Sequence, residues 1–592
     1  MKKIHCISIL FTLLYRTAHL APAPEPFQPS CQPTEPCWPT SQEWQTFNQS
    51  VSGRLIPVTH PGRSCYIKDF NTASCLEYQA EAYLVSYRTN QVALPLYSQW
   101  EHCGESALVC PSIPVVNLVP QLLGVCMAGN LPTYAVDAKD HNDIVQSVLF
   151  AKNHHLAINI KNTGHDVIGR SLSPNSLTIW THHMDSLHVE KQFQPEQCQT
   201  SSYHGPALVM EAGVTTGQAF DAADAASMTV VGPFLRTIGA AGGWLQGSGY
   251  GPLTNTFGVG SDQALQFRIV LADGSVVVAN ECQNQDLFWA LRGGGAGTFG
   301  KSMDNNKKKI KSAKRRSPFR CCDRSHRQTA PPGNPYARCS IKGAFSGPTQ
   351  HLTGLGRASR TLGRRWLLTK DAAHTSIHTF IDAIKPHVII NLISEREYSS
   401  FNDFYAENHI ARDSLAGFGF AIGTRLMTRP VFATAESREH MVDTFIEGMK
   451  RKKPLEVISP DVIVTVNTPI RDDGGQTSYS PRWRKEGLWL MDYATIWPQG
   501  TPNTLAHEYN QEIARVAEKL GTVTPGGPIA YSNEAEYTLP NFETAYWGDN
   551  YPRLLEIKNK YDPTSLFRCW KCVGWTEEMA AKDPKFKCYK TL

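Results

Sequence analysis

The sequence predicts an α+β protein, because short apolar segments typical of strands alternate with amphipathic helical segments in mixed order. Leu156 to Ile160 is an apolar run that ends at a glycine-containing turn, as a short buried strand does. Ala264 to Leu271 alternates and leads through Asp273-Gly274 to Val276 to Val278, which predicts a β-hairpin. Ser437 to Met449 has the apolar spacing of an amphipathic helix. A chain of 592 residues exceeds the usual size of one domain, so we expect two or three modules.

The N-terminus has the pattern of a secretory signal peptide. Lys2 and Lys3 precede the apolar run Ile4 to Tyr15, and small residues follow. We therefore expect residues 1–20 to be a signal peptide and the protein to be secreted. The apolar run is too short to span a bilayer, and no later stretch is long and apolar enough, so no membrane association is expected. Asn48, in Asn48-Gln49-Ser50, is the clearest N-glycosylation sequon.

The cysteines agree with an oxidising compartment. Of sixteen, twelve remain when Cys6 and three in a basic segment are set aside, and an even set is typical of disulfides. Cys65 with Cys75 and Cys103 with Cys110 are candidate close pairs, although spacing does not fix the connectivity. Cys569 and Cys572 have a spacing found in zinc and redox motifs. Because no second pair lies nearby, a structural disulfide is favoured and no metal site is expected.

The most informative motif begins where the first apolar run ends. It reads Lys161-Asn162-Thr163-Gly164-His165-Asp166 and continues with Gly169-Arg170-Ser171. A tight turn leaving a buried strand is a location where a side chain can meet a ligand. A histidine in a polar turn carries little information by itself, and a second motif further along the chain changes its interpretation.

That second motif is the stretch Val230 to Gly251, which is crowded with glycines. Glycine costs backbone entropy, so this density indicates positive φ angles or the close approach of a ligand to backbone amides. Successive amides can bind a pyrophosphate without any lysine. The glycines alternate with Ile238, Trp244 and Leu245, which a flexible linker would not need. No strand-GxGxxG-helix unit with a later acidic residue is present, so this is not the Rossmann fingerprint.

Together with Gly258 to Gln263 and Gly293 to Gly300, these motifs resemble the flavin-binding segment of the berberine bridge enzyme-like oxidoreductases. These are PCMH-type flavoproteins of the vanillyl-alcohol-oxidase superfamily, and the secreted fungal type is the most similar. The resemblance implies a PCMH-type FAD-binding domain of two α/β subdomains, split around an antiparallel-sheet substrate domain backed by helices. It also implies FAD attached covalently through His165. The residues it assigns to the cofactor are His165, Asn162, Thr163, Gly164, Asp166, Gly169, Thr237, Gly239, Gly242, Gly243, Gly247, Gly249, Asp262 and Asn533.

Comparison with the family also indicates a single covalent bond to the flavin. Members that attach the flavin by two covalent bonds use a cysteine just before the second glycine run for the second bond. Leu235 lies at that place in this chain and cannot form a thioether. We therefore expect attachment through His165 alone.

The C-terminal segment from Pro528 to Glu536 resembles the family's return to the flavin edge. The resemblance implies that Tyr531 and Asn533 lie beside the isoalloxazine, and Glu534 follows where many members have a tyrosine. Glu534 is either a base with a raised pKa or a solvated residue of an acidic turn. Glu534 and Tyr531 are the candidate catalytic residues. Tyr493 is a further candidate, although alternation around it favours a plain structural strand.

The resemblance implies oxidation of a small organic substrate by hydride transfer to flavin N5, with O2 as the electron acceptor. The substrate class stays open between a specialised metabolite, which the missing cysteine favours, and a carbohydrate. A secreted binding protein without flavin would leave both glycine loops unexplained. The expected divisions are a signal peptide (1–20), a cysteine-containing extension (21–125), the FAD-binding domain (126–305), an anomalous basic segment (306–365), the substrate domain (366–525) and the C-terminal segment (526–592).

The basic segment departs from everything around it. Apolar periodicity is lost from Lys301 to about Arg365, and seven positive charges fall between Lys307 and Arg316. Without those seven charges the formal net charge of +5 turns negative. A nucleic-acid partner is disfavoured by the signal peptide and the flavin motifs.

A sequence that is not native to the family explains this segment better. Family members continue after Gly300 with a strand ending near His-Pro, which is missing, and a shifted reading frame over Cys321 to Ala337 can spell such a strand. The hypothesis is a retained intron at about Lys301 to Ser317 followed by a frame change. The loss of a sheet strand would then expose apolar surface and a sheet edge, and the product would fold poorly or lack activity.

Overall fold

The computed structural model describes most of the chain outside the N-terminus and the basic segment. The described residues are 27–101, 110, 126, 128–199, 201, 203–308, 310–311, 336–340, 378, 382, 386, 394–398, 400–409, 416–449, 461–466 and 476–590. The sequence also predicts a helix from Ile377 to Ile384. That segment lies outside the described residues apart from single positions, and the signal peptide lies outside them entirely. Among the described residues, no helix has both the length and the apolar character needed to cross a bilayer.

Strands and helices alternate in mixed order, as the α+β prediction requires. The strands are β1 (Leu55–Pro57), β2 (Tyr134–Asp137), β3 (Ile158–Lys161), β4 (Leu177–Trp180), β5 (Leu187–Phe193), β6 (Gly205–Glu211), β7 (Met228–Thr229), β8 (Ala264–Val270), β9 (Val276–Asn280), β10 (Lys301–Lys308), β11 (Ile310–Lys311), β12 (Tyr336–Ser340), β13 (Ser394–Tyr398), β14 (Gly419–Thr428), β15 (Asp461–Val466) and β16 (Gly487–Trp497). The helices are α1 (Ser41–Ser50), α2 (Thr72–Glu81), α3 (Val85–Thr89), α4 (His141–Asn153), α5 (Thr216–Ala225), α6 (Gly243–Gln246), α7 (Thr254–Phe257), α8 (Gln285–Leu291), α9 (Phe401–His409), α10 (Ala435–Met449), α11 (Pro481–Glu486), α12 (Asn503–Thr522), α13 (Phe542–Trp547), α14 (Tyr551–Tyr561) and α15 (Glu577–Lys582).

The first sheet has the order β1-β2-β4-β3. β2 and β3 each run parallel to β4, and α4 connects β2 to β3. Asp140 caps α4, since its carboxylate accepts the amide of Asp143 while Asp143 accepts the amide of Asp140. Ile144 and Val148 of α4 pack with Ile158 and Ile179 of the sheet. The predicted buried strand is therefore present as β3, and the turn that carries His165 leaves its C-terminal end.

The second sheet is antiparallel and has the order β5-β6-β10-β8-β9. β8 and β9 form the predicted hairpin, with Gly274 at a φ of 83° in its turn. The expectation that a strand is missing after Gly300 is wrong for the backbone, because β10 pairs with β6 on one side and β8 on the other. Every residue except proline carries the same backbone donor and acceptor, so a polar segment can also fill the gap between two strands that both present open edges. Its register with β8 shifts between Ser302 and Asp304 and again between Asn306 and Lys307.

The third sheet has the order β14-β16-β15 and is antiparallel throughout its described strands. One face packs against α12, whose Ile513, Val516 and Leu520 are buried with Met427 of β14. The helix α10 packs on α12 in turn. This is the antiparallel sheet backed by helices that the sequence predicts, and its other face lies towards the rest of the molecule.

Residues 27–101 pack between the first and third sheets. Glu101 is fully buried and accepts hydrogen bonds from Arg88 at 2.6 Å and Gln499 at 3.2 Å, with His60 Nε2 at 3.1 Å. The Arg88 guanidinium and the His60 imidazole hold the pKa of Glu101 at about 2 against the effect of burial. Gln99 bonds the backbone of Phe420 at the start of β14. The extension therefore helps to fix where the third sheet lies.

Five disulfides join described cysteines. They are Cys31–Cys37, Cys65–Cys75, Cys110–Cys126, Cys198–Cys282 and Cys569–Cys572. The candidate pair Cys65 with Cys75 and the structural disulfide at Cys569 are confirmed. The candidate pair Cys103 with Cys110 is wrong, since Cys110 bonds Cys126 with their Cα atoms 4.8 Å apart. Sequence spacing alone does not report which sulfurs the fold brings together.

Candidate active site

A cavity of about 230 Å³ lies where the first two sheets meet the C-terminal segment. The turn after β3 forms one wall, the glycine loop before α6 forms another, and the segment after Ile529 closes one end. The predicted site residues that line it are Asn162, Thr163, Gly164, His165, Asp166, Gly239, Gly242, Gly243, Tyr531, Asn533 and Glu534. The fold thus brings three distant parts of the sequence to one space.

His165 is half-buried and faces the cavity from the turn after β3. Gly164 before it has a φ of 83°, a conformation that glycine adopts without strain. Its Nε2 lies 2.7 Å from the hydroxyl of Thr237, and burial lowers the pKa of the imidazole to about 3. The ring is therefore neutral at physiological pH. Thr237 contacts His165 and does not line the main cavity.

Asp166 and Gly169 shape the turn that carries His165. Asp166 accepts the backbone amide of Arg170 and pairs with its guanidinium. A Cβ on Gly169 would lie 2.2 Å from a ring carbon of Trp100, so glycine is required for Trp100 to pack there. Gly169 is close to the turn without lining the cavity.

The glycine loop divides into two groups. Gly242 and Gly243 line the cavity and have nothing within 4 Å of the position a Cβ would take, so their faces are open to it. Gly247 and Gly249 lie behind the wall, where a Cβ would clash with Asn533 at 2.4 Å and with Trp244 at 2.7 Å. These two glycines allow close packing of the loop.

Asp262 also lies away from the cavity lining. Its carboxylate accepts the amide of Val259 and forms an ion pair with Arg484. Its contacts join the segment after the glycine loop to α11.

Tyr531, Asn533 and Glu534 form the end of the cavity. Asn533 donates hydrogen bonds of 3.0 Å to the carbonyl of Gly243 and to the hydroxyl of Tyr531. Tyr531 is fully buried, and burial raises its pKa well above the usual range. Glu534 is half-buried with its open side towards the cavity, and burial raises the pKa of its carboxyl to about 7. It is therefore not a freely solvated residue of an acidic turn.

Two residues that sequence reasoning missed complete this end. The Tyr250 hydroxyl lies 2.6 Å from Oε2 of Glu534 and 3.3 Å from Oδ2 of Asp492. Asp492, on β16, is 3% exposed, and burial beside Glu534 raises its pKa well above the usual range. A carboxylate inside an apolar strand is a detectable sequence signal, since Asp492 interrupts Leu488 to Ile496. The neighbouring Tyr493 points to the opposite face and packs in the core with Ile513.

The cavity fits a flavin dinucleotide. A side chain at Gly242 or Gly243 would project into the cavity. Glycine at both positions therefore lets a ligand approach the backbone amides closely. Four basic side chains line it, Arg170, Lys301, Arg568 and Lys585, of which Arg170 pairs with Asp166 and Arg568 with Asp583. Burial lowers the pKa of Lys301 and of Lys585 to about 7 each, so a diphosphate nearby would favour their charged forms.

Comparisons with known proteins agree with this geometry. Residues 132–280 match the family model described as FAD binding domain, and residues 530–573 match berberine and berberine like. The FAD-linked oxidoreductase ffsJ of Aspergillus flavipes is 30% identical over 583 residues, covering 90% of this chain and 92% of that protein. The VAO-type flavoprotein MtVAO713 from Myceliophthora thermophila C1 has a TM-score of 0.76 at 24% identity, covering 93% of this chain and 97% of its own. Physcomitrella patens BBE-like 1 has a TM-score of 0.53 at 19% identity, covering 75% and 92%.

The fold and these matches define an FAD-dependent oxidoreductase with the VAO-type architecture. The chain belongs to the berberine bridge enzyme-like, PCMH-type FAD-linked oxidoreductases.

Proposed function

We propose that this protein is a secreted oxidase of specialised metabolism that takes a hydride and a proton from a small organic substrate. FAD would be attached through His165 alone, and molecular oxygen would be the final electron acceptor. Bound FAD supplies the hydride acceptor at N5 and passes two electrons to oxygen, which gives hydrogen peroxide. Secretion, with glycosylation at Asn48, belongs to the same proposal. Asn48 is partly exposed on α1, where a glycan could be attached.

The observation that carries the proposal is Glu534 in the cavity wall. A general base works best when its pKa lies near the working pH, and burial raises that of Glu534 to about 7. Oε2 accepts the Tyr250 hydroxyl, which leaves Oε1 to take a proton from a substrate hydroxyl, amine or C–H group. Tyr531 is held by Asn533 beside it and supplies a neutral hydroxyl that can position the substrate.

The cavity's surroundings favour an apolar substrate over a carbohydrate. A second space of about 130 Å³, here called the apolar chamber, adjoins His165 and is lined by Val85, Leu96, Tyr97, His165, Leu235, Thr237, Ala416, Phe418, Phe420 and Ile496. Tyr97, His165 and Leu235 line both spaces. A sugar needs several placed polar partners, whereas this lining suits an aromatic ring or a short branched alkyl group. Leu235 in the wall also fits a flavin held by one covalent bond.

The alternative is an inactive product of a disrupted gene, and Lys301 supports it. Lys301 is 4% exposed, and burial lowers the pKa of its amine to about 7. Burying this amine costs free energy of folding that an apolar side chain at the same position would not cost. It begins β10 and lines the cavity, so the anomalous segment starts inside the site.

Purified protein distinguishes an active flavin oxidase from an inactive gene product, and an apolar substrate from a carbohydrate. The full chain secreted from a fungal host should be yellow, and the colour should remain with the protein after acid precipitation. The variant His165→Ala should lose its flavin on precipitation, and acid-stable flavin in that variant would refute the attachment site. Peroxide release should be measured with prenylated or aromatic alcohols and amines beside mono- and oligosaccharides. Release with sugars alone would overturn the apolar assignment, and a colourless folded protein would support the inactive product.

A further inference from the structure

The Tyr250 hydroxyl lies within hydrogen-bonding distance of two carboxyl groups. The Oε2 atom of Glu534 is 2.6 Å away, and the Oδ2 atom of Asp492 is 3.3 Å away. A phenol carries one hydrogen and can donate it to only one of them. The second contact is therefore a hydrogen bond only when one of the two carboxyl groups is itself protonated.

The surroundings decide which carboxyl holds that proton. Asp492 is 3% exposed in the middle of β16, and its Oδ1 atom has no hydrogen-bond partner among the described residues. A carboxylate ion with an unpaired oxygen in such a place is strongly disfavoured. Glu534 opens to the cavity and receives the shorter bond, as expected for the ionised partner of a charge-assisted hydrogen bond.

We propose that Asp492 is kept protonated and acts as a positioning residue that donates to Tyr250, so that Tyr250 donates to Glu534 and the single negative charge stays on Glu534. The inference rests on the proposed role of Glu534 as the base. The order of donors is Asp492, then Tyr250, then Glu534, and each hydrogen has one acceptor. The network neither gains nor loses a proton until Glu534 takes one from the substrate.

The groups that face Glu534 within the described chain support this order. They are the hydroxyls of Tyr250, Tyr531 and Tyr97 and the carboxyl of Asp492. The three tyrosines are neutral, because burial raises the pKa of each. A second ion at Asp492 would raise the pKa of Glu534 further, whereas the bond from Tyr250 lowers it. The pKa of Glu534 therefore depends on the hydrogen bond that Tyr250 donates, and Asp492 fixes the direction of that bond.

Infrared titration of the purified holoenzyme tests this without a substrate. Between about pH 5 and pH 9, we expect one protonated-carboxyl C=O band that persists and a second that disappears near pH 7. The persistent band should be lost in Asp492→Asn and kept in Glu534→Gln. The titrating band should be lost in Glu534→Gln only. A persistent band that survives in Asp492→Asn, or no persistent band in the parent, would overturn the proposal.

Variants with matched shapes separate positioning from packing. Asp492→Asn keeps an N–H donor towards Tyr250, so the midpoint of the Glu534 band should stay within a few tenths of a pH unit. Asp492→Leu removes the donor, and Tyr250→Phe removes the bond to Glu534, so both should raise the midpoint by about one unit. A midpoint that falls in Asp492→Asn would mean that Asp492 is ionised, and the proposal would be wrong. If Asp492→Leu does not fold, Tyr250→Phe and Asp492→Asn still give the comparison.

The proposed base can fail separately. Substrate oxidation at the parent rate by Glu534→Gln would remove Glu534 from the reaction, while the infrared bands would still report the proton on Asp492. A persistent band that survives in Asp492→Asn would refute the inference even if substrate oxidation depends on Glu534.

Discussion

The hydrogen bond between Thr237 and His165 leads to a specific prediction about flavin attachment. The attacking imidazole nitrogen must carry a lone pair and no proton. When Nε2–H donates to the Thr237 hydroxyl, 2.7 Å away, Nδ1 is the nitrogen with the free lone pair. We predict that the Thr237 hydroxyl is the acceptor in this pair, so that it favours the tautomer with a free lone pair on Nδ1. The variant Thr237→Val keeps the shape of the side chain and loses the acceptor.

The expected magnitude follows from one neutral hydrogen bond. Its loss costs about 1 kcal/mol, which corresponds to roughly fivefold in rate. Apoprotein mixed with FAD should therefore form acid-stable flavin about fivefold more slowly in Thr237→Val than in the parent. Thr237→Ser keeps the hydroxyl and should attach flavin at nearly the parent rate. His165→Ala is the blank.

The pH dependence is a second test of the same reasoning. Burial lowers the pKa of His165 to about 3, so the ring is neutral at every pH above that value. Attachment should therefore show no acid limb from this histidine between about pH 5 and pH 8, whereas an exposed histidine would lose reactivity near pH 6.5. Attachment by Thr237→Val at the parent rate, or an acid limb near pH 6.5 that His165 accounts for, would refute the argument.

Four further predictions concern the glycines of the cavity wall, the apolar chamber, the buried ion pair between Lys558 and Asp562 of α14 and its C-terminal end, and the gene. Gly243→Ala should melt at the parent temperature and yet bind FAD more weakly, since its Cβ would enter the open cavity, whereas Gly247→Ala should also lose stability because it clashes with Asn533. Ile496→Asn should raise KM for apolar substrates with little change in acid-stable flavin, and an unchanged KM would exclude the apolar chamber as a substrate site. Lys558→Met should lower the free energy of unfolding by about 3 kcal/mol in a denaturant titration, because it leaves the buried Asp562 carboxylate without its 2.5 Å partner, and a loss under 1 kcal/mol would contradict this. Transcript reads should show an intron starting at Gly300-Lys301-Ser302, which GGTAAGTC can encode with a typical intron start inside it, and uninterrupted reads in the present frame would refute the hypothesis.

The architecture could be predicted from the sequence because each strand and helix leaves a pattern within its own short segment. The β8–β9 hairpin follows from alternation around Gly274, and β3 from an apolar run before a turn. The third sheet follows in the same way, since the apolar run Gly417 to Ile422 predicts a strand that overlaps β14, and the helix predicted at Ser437 to Met449 is α10. These patterns report burial within one element, which the fold preserves.

The site was predicted less completely because its proton network is assembled across the chain. Tyr250 and Glu534 lie in two connecting segments and Asp492 lies on β16, and more than 200 residues separate the first from the last. The same limit applies to the glycines, since spacing does not distinguish Gly243, which faces the cavity, from Gly247, which packs on Asn533. Burial and partner identity are properties of the assembled fold.

The place of β10 in the second sheet has a consequence for biosynthesis. β10 is the last of the five strands to be synthesised and yet the one inserted in the middle, between β6 and β8. Until it arrives, both neighbours carry unpaired edges that invite association between nascent chains. The Cys198–Cys282 disulfide joins two residues 84 apart in sequence, from beyond β5 to beyond β9, and it can close without any residue of β10. Under the proposed secretion, this bond would hold β6 and β8 close to each other while the gap between them waits for β10.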